Sequence, residues 1–133
     1  MRIGTPPNFL SVDLVMDDGV SFFRVEAVVI TNDRQFTACH ERVVMGAGGD
    51  TLRRYEDFSD FKCEDVDITL SEGGHIRLQR DWRGQMMVKY RLAAYSTKTA
   101  MEGEVLVEGD FAGEFIREFG ALLAAHGFFA DAE

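Results

Sequence analysis

Apolar and polar residues alternate with a period of two over much of this chain, most clearly across residues 74–92, GHIRLQRDWRGQMMVKYRL. Ile76 and Leu78 alternate with Arg77 and Gln79; Met86, Val88, Tyr90 and Leu92 alternate with Met87, Lys89 and Arg91. Successive side chains of a strand point to opposite faces, so both runs predict strands. Between them, Asp81-Trp82-Arg83-Gly84 carries turn chemistry, with a carboxylate to accept from the backbone and a Gly free to take positive φ. The stretch predicts a β-hairpin with one apolar face and one mostly basic face.

The same period recurs upstream. Leu10, Val12, Leu14 and Met16 predict a first strand, and Asp17-Asp18-Gly19 a tight hairpin turn. Phe23, Val25, Ala27 and Val29 predict a second strand, with a weaker third over 35–45 after a turn at Asn32-Asp33. Pro6-Pro7 predicts that residues 1–8 form a stiff, extended N-terminal arm. Gly46-Ala47-Gly48-Gly49 reads as a flexible connector, after which Asp50 or Thr51 is placed to cap a helix. Leu52, Tyr55, Phe58 and Phe61 recur at every third residue, so that helix is expected to be short and partly 3₁₀. Val66, Ile68 and Leu70 return to a period of two; later, Val105 and Val107 face inward while Glu102, Glu104 and Glu108 face out.

The final segment changes period. Over 110–126, Phe111, Phe115, Ile116, Phe119, Leu122 and Leu123 share one helical arc, opposite Glu114, Arg117 and Glu118. Asp110 is the expected N-cap, Gly127 the left-handed exit residue, and Phe128 the apolar contact of a Schellman motif. The chain therefore predicts one α+β domain spanning 1–133. It should hold about seven mostly antiparallel strands in a bent sheet or two layers, a short middle helix, and a C-terminal amphipathic helix on the sheet.

Composition adds exclusions. A chain of 133 residues with 46% hydrophobic and 28% charged residues has the make-up of a globular domain. Its net charge of −9 argues against nucleic acid or an anionic membrane as partner and is compatible with a basic protein. The opening MRIGTPPNFL lacks a signal-peptide pattern, and no apolar run nears the roughly 18 residues of a membrane span, so a cytoplasmic location is expected. Cys39 and Cys63 lack metal or redox spacing and are expected to be buried free thiols.

No nucleophile motif or paired acid–base signature marks a catalytic site, and no cofactor is expected. His40, His75 and His126 stand in separate elements without ligand spacing, so no metal site is expected either. The Gly-rich stretch lacks the Lys of a phosphate loop, and Asp50 stands where the anion would sit. Arg77, Lys89 and Arg91 form a basic face, but Asp67 on the preceding strand and Glu102, Glu104 and Glu108 on the following one can pair with it. Two features point outward. Trp82, at a hairpin tip, either folds back onto the core or is an exposed contact residue. The run Glu56, Asp57, Asp60, Glu64, Asp65 and Asp67, with Lys62 alone to offset it, is either solvated exterior or a surface for a basic partner.

A strand-rich first half, a helix carrying Leu52-Arg53-Arg54-Tyr55 and Phe58, the IRLQRDWRGQMMVKYRL hairpin and a Phe-rich closing helix together resemble immunity proteins of the wall-associated toxin type and allied small bacterial domains. The likeness spans about residues 9 to 127 and rests on element order and apolar spacing. It implies a bent antiparallel sheet with helices on one side, and a role in neutralising a toxin domain. The expected function is a non-enzymatic binding protein, with Glu56, Asp57, Asp60, Glu64, Asp65 and Trp82 as candidate partner-binding residues. The alternatives are a ligand-binding or enzymatic domain with a pocket between sheet and C-terminal helix, and a homodimeric assembly component joined through an edge strand.

Overall fold

Eight strands and two helices make up the computed structural model, which describes residues 1–127. Strands β1 (Arg2–Thr5), β2 (Asn8–Asp17), β3 (Val20–Ile30) and β4 (Gln35–Val43) form one antiparallel sheet in chain order, followed by helix α1 (Gly49–Ser59). Strands β5 (Asp65–Thr69), β6 (His75–Arg80), β7 (Met86–Ala94) and β8 (Thr99–Val107) form the second, again in chain order, followed by helix α2 (Gly109–His126). Each half is thus a four-stranded meander with a helix after it, in the α+β class.

The period-two residues explain the packing. Leu10, Val12, Phe23, Val25 and Ala27 of the first sheet and Val66, Ile68, Ile76, Leu78, Val88 and Tyr90 of the second join a single buried core. Beyond β4 and β5 the sheets are stitched together. Met45 bridges Leu70, the Gly46 N–H donates to the Thr69 carbonyl (2.8 Å), and the Ser71 N–H to that of Val44 (2.9 Å). The Gly-rich stretch is therefore not a loose connector: Met45, Ala47 and Gly48 are buried. At the other side β1 packs beside β8, with no backbone hydrogen bond between them among the described residues.

Several local expectations change. The additional strand is β1, inside the segment expected as an arm; only Ile3 of its four residues is buried, too few positions for a period to register. Pro6-Pro7, joined by a cis bond, occupies the turn to β2. Helix α1 starts at Gly49 with Gly48 as N-cap and no side-chain cap; Asp50 lies in the first turn, 3.3 Å from Arg53. In α2 the N-cap is Glu108, and Asp110 lies in the first turn. Phe115, Ile116, Phe119 and Leu123 are buried as expected, but Phe111 is 59% exposed because it precedes the part of the helix that meets the core. Gly127 takes φ −69°, an extended exit and not a left-handed one, and the Phe128 contact lies outside the described residues. Cys39 is exposed on edge strand β4 and Cys63 is half-buried; both are free.

Two glycines are fixed by close approach. Gly103 of β8 lies opposite Tyr90 of β7, where a Cβ would stand 2.4 Å from the tyrosine Oη and 2.7 Å from Cζ. Tyr90 is buried and cannot swing into solvent. Gly103→Ala is therefore expected to cost about 1–3 kcal/mol through overpacking. Chemical denaturation checks this: an unchanged midpoint would mean that Tyr90 has room to move. Gly120 of α2 similarly passes over Tyr55 of α1, whose hydroxyl donates to the Ile116 carbonyl at 2.7 Å. Burial pushes the Tyr55 hydroxyl pKa up, so the donor stays protonated.

Candidate partner-binding surface

The β6–β7 turn is built around Asp81. Its Oδ1 accepts from the N–H groups of Arg83 (2.8 Å) and Gln85 (3.0 Å), and the Gly84 N–H closes the turn onto the Asp81 carbonyl (2.9 Å). Gly84 supplies the positive φ of 81° that the turn needs. These backbone-directed bonds hold the carboxyl pKa of Asp81 below its ordinary value. They fix a loop in which Trp82 points outward, 90% exposed, with the Arg83 guanidinium 5.4 Å from its ring centre. Trp82 is not folded onto the core.

A second aromatic joins it. The every-third-residue period suggested that Phe61 continues the buried face of α1; instead the helix ends at Ser59, and Phe61 takes φ 62° and turns out, 77% exposed. Arg80, at the end of β6, holds this corner together. Its guanidinium lies 3.9 Å from the Phe58 ring centre and 4.1 Å from that of Phe61. Its Nη1 donates to the Phe58 carbonyl (2.7 Å), and its backbone N–H to the Glu64 carbonyl (2.9 Å). The loop after α1 and the β6–β7 turn are thus tied at one place, with Phe61 against Arg80 and Trp82 two residues beyond it.

The acidic residues divide into two groups. Glu56, Asp60 and Glu64 are exposed and Asp57 is half-buried; none has an ion-pair partner among the described residues. Asp65 is different. It accepts from Arg54 Nη2 (2.7 Å) through one oxygen and from Arg77 Nη2 through the other. Asp67 lies 3.6 Å from the same Arg77. Asp65 therefore leaves the candidate surface and becomes a structural bridge between α1 and β6.

Hydrogen bonds from Arg54, then Arg77, hold the Asp65 carboxyl below its ordinary pKa of 3.8. A carboxylate with a depressed folded-state pKa contributes stability above its unfolded value and loses it as pH falls through the folded value. Asp65→Asn is expected to be less stable than the wild type near neutral pH, with the gap closing as pH drops below 3.8. Urea midpoints measured across that range check it; a pH-independent gap would mean that the ion pairs carry no proton linkage.

The basic face of the second sheet is internally paired. Register sets Arg77 opposite Asp67, Lys89 opposite Glu104 and Arg91 opposite Glu102, and Arg91 Nη1 hydrogen-bonds Glu102. Glu108 stands beyond β8 and takes no part. Of the histidines, His40 Nε2 lies 2.8 Å from Glu72, and His126 Nδ1 lies 3.2 Å from the Ser21 hydroxyl. Among the described residues no three His, Cys, Asp or Glu side chains are grouped to hold a metal ion, and no helix is long and apolar enough to cross a membrane.

No family model, curated protein or solved structure matches the chain. The likeness to immunity proteins thus rests on element order and apolar spacing, and the functional reading rests on the surface just described. Sequence reading had found Trp82 and the carboxylates. It missed Phe61 and Arg80, because an aromatic at helical spacing and an arginine at a strand end carry no outward sign of stacking on each other.

Proposed function

We propose that this protein is a non-enzymatic binding domain that receives a basic protein partner around Phe61 and Trp82, in the manner of an immunity-type inhibitor of a basic toxin domain. One observation carries the reading: two large aromatic side chains, 77% and 90% exposed, share a corner with Glu56, Asp57, Asp60 and Glu64, which have no cationic partner within the described fold. Exposed aromatics gain most when a partner covers them, and an indole is among the side chains most often dominant in interfaces. Unpaired carboxylates around them steer a cationic surface into place and repel acidic ones.

Affinity capture from the native host tests the reading. A basic protein recovered by the wild type should be depleted when Trp82→Ala is the bait, and also when Phe61→Ala is. Equal recovery by all three baits removes this corner from consideration.

A further inference from the structure

Strand β4 ends the first sheet, and its outer edge is open. The Thr31 N–H donates to the Arg34 carbonyl (2.8 Å), so Arg34 turns its backbone toward β3. Every second residue after it does the same: Phe36, Ala38 and His40 face Val29, Ala27 and Val25. The residues between them, Gln35, Thr37 and Cys39, turn their N–H and C=O groups the other way. All three are exposed, and none of those groups forms a hydrogen bond among the described residues. Strand β7 approaches β4, but β7 is already paired along both edges, with β6 and β8, so the two meet across the interior. The open run closes at its far end. There β4 bulges after His40, and Ser71 takes both backbone groups of Val44, accepting from its N–H (3.1 Å) and donating to its carbonyl (2.9 Å).

An edge of this kind is normally guarded by Lys, by Pro or by an inward charge, because a bare one templates further pairing. Gln35 to Cys39 carries no such guard. These five residues hold no charge, in a chain that is 28% charged with a net charge of −9. They present Phe36 instead, 53% exposed. Like charge opposes contact between two copies over most of the surface, and that opposition is absent here.

We infer that two copies of this chain join through this edge, β4 of one pairing antiparallel with β4 of the other. Thr37 sits on the two-fold axis, opposite Thr37 of the second copy. Gln35 then stands opposite the second copy's Cys39, and Phe36 beside its Ala38, a large side chain against a small one. An antiparallel pair of identical strands closes on itself, so assembly stops at two copies. Other registers fit less well. With Ala38 on the axis, Arg34 would oppose Arg42; with Cys39 on it, Gln35 would meet Val43, beside the place Ser71 fills at Val44. With Phe36 on it, only three residues of β4 would pair. The two four-stranded sheets continue as one, and Thr–Thr pairing across the axis adds to the ladder. So short an interface makes a weak dimer. The edge shares no residue with the Phe61–Trp82 corner, so the inference stands whether or not that corner binds a partner.

Sedimentation equilibrium tests it. Between about 1 μM and about 1 mM, the span of weak association, the mass should climb from that of one 14.9 kDa chain toward two. The Thr37 N–H faces the open edge, so Thr37→Pro removes no bond to β3 and should hold the chain monomeric throughout. Thr37→Lys, which sets two like charges on the axis, should do so as well, with a urea midpoint near that of the wild type. The register has its own readout. Gln35→Cys should give an intermolecular disulfide to Cys39 under mild oxidation, since opposed residues stand about 5.5 Å apart while positions 35 and 39 of one strand are about 13 Å apart. The wild type should give none, because the two Cys39 residues are not opposed. A monomer at every concentration would overturn the proposal. So would a dimer that survives both Thr37 variants, a failure of Gln35→Cys to cross-link, or a wild type that cross-links equally well.

Discussion

Replacing Phe119 by alanine is expected to lower the free energy of unfolding by about 3–5 kcal/mol, the usual range for removing a fully buried aromatic ring. Phe119 has no exposed surface. Its ring stacks on Phe115 (centroids 5.4 Å apart) and meets the edge of Tyr55 (6.1 Å, 74°), so it packs α2 against α1 as well as filling the core. Removing it leaves a void whose lining is partly backbone-tied. The Tyr55 hydroxyl is held by Ile116, and Gly120 lies close over the same ring, so the walls cannot simply close in. Urea denaturation with a slope unchanged from the wild type is the measurement. A loss below about 1 kcal/mol would show that this helix face collapses freely, against the close packing seen here.

The second large effect concerns association. Glu56, Asp60 and Glu64 are exposed and unpaired, so reversing all three to Lys changes the local field without breaking an internal bridge. The net charge of the chain would rise from −9 by six units. Binding of a basic partner captured by the wild type should slow at least about tenfold at low salt, because complementary charge acts chiefly on the encounter rate. The difference should shrink toward about 0.5 M salt as the screening length falls to a few ångströms. Trp82→Ala should instead raise the dissociation rate, the signature of losing a covered anchor. Unchanged association for the triple reversal at low salt would return these carboxylates to plain solvated exterior.

Much of the fold was legible because its strands are amphipathic. Where one face is buried and the other wet, a period of two names both faces, and Ile76, Leu78, Val88 and Tyr90 fell as that rule requires. The same rule placed Asp67, Arg77 and Glu102 on the outer face, where register pairs them with neighbours. It failed where elements are short or end early. Strand β1 offers one buried position, and α1 stops two residues before Phe61, so a period extended past the helix end assigned that ring to the core. The site was half legible. Sequence shows six clustered carboxylates, but which of them is already neutralised depends on Arg54 and Arg77, brought to Asp65 by tertiary packing from 11 and 12 residues away. The stitched stretch from Met45 to Gly48 was missed for a similar reason. Glycine clusters look loose in a sequence, yet here they let two backbones come close enough to bond.

The chain-order arrangement of both sheets bears on how the molecule forms. Each of the six strand ladders joins strands that follow one another in sequence, so each can zip from its own turn at the small entropic cost of closing a short loop. Low contact order within each meander predicts quick hairpin formation, on the order of microseconds. What stays non-local is the union of the halves: Met45 with Leu70, His40 with Glu72, and Tyr55 with Ile116, separated by 25, 32 and 61 residues. Neither meander alone has a second apolar layer to bury its inner face. The folding barrier should therefore lie at the docking of two preformed halves, and substitutions across that junction should slow folding more than substitutions within either sheet.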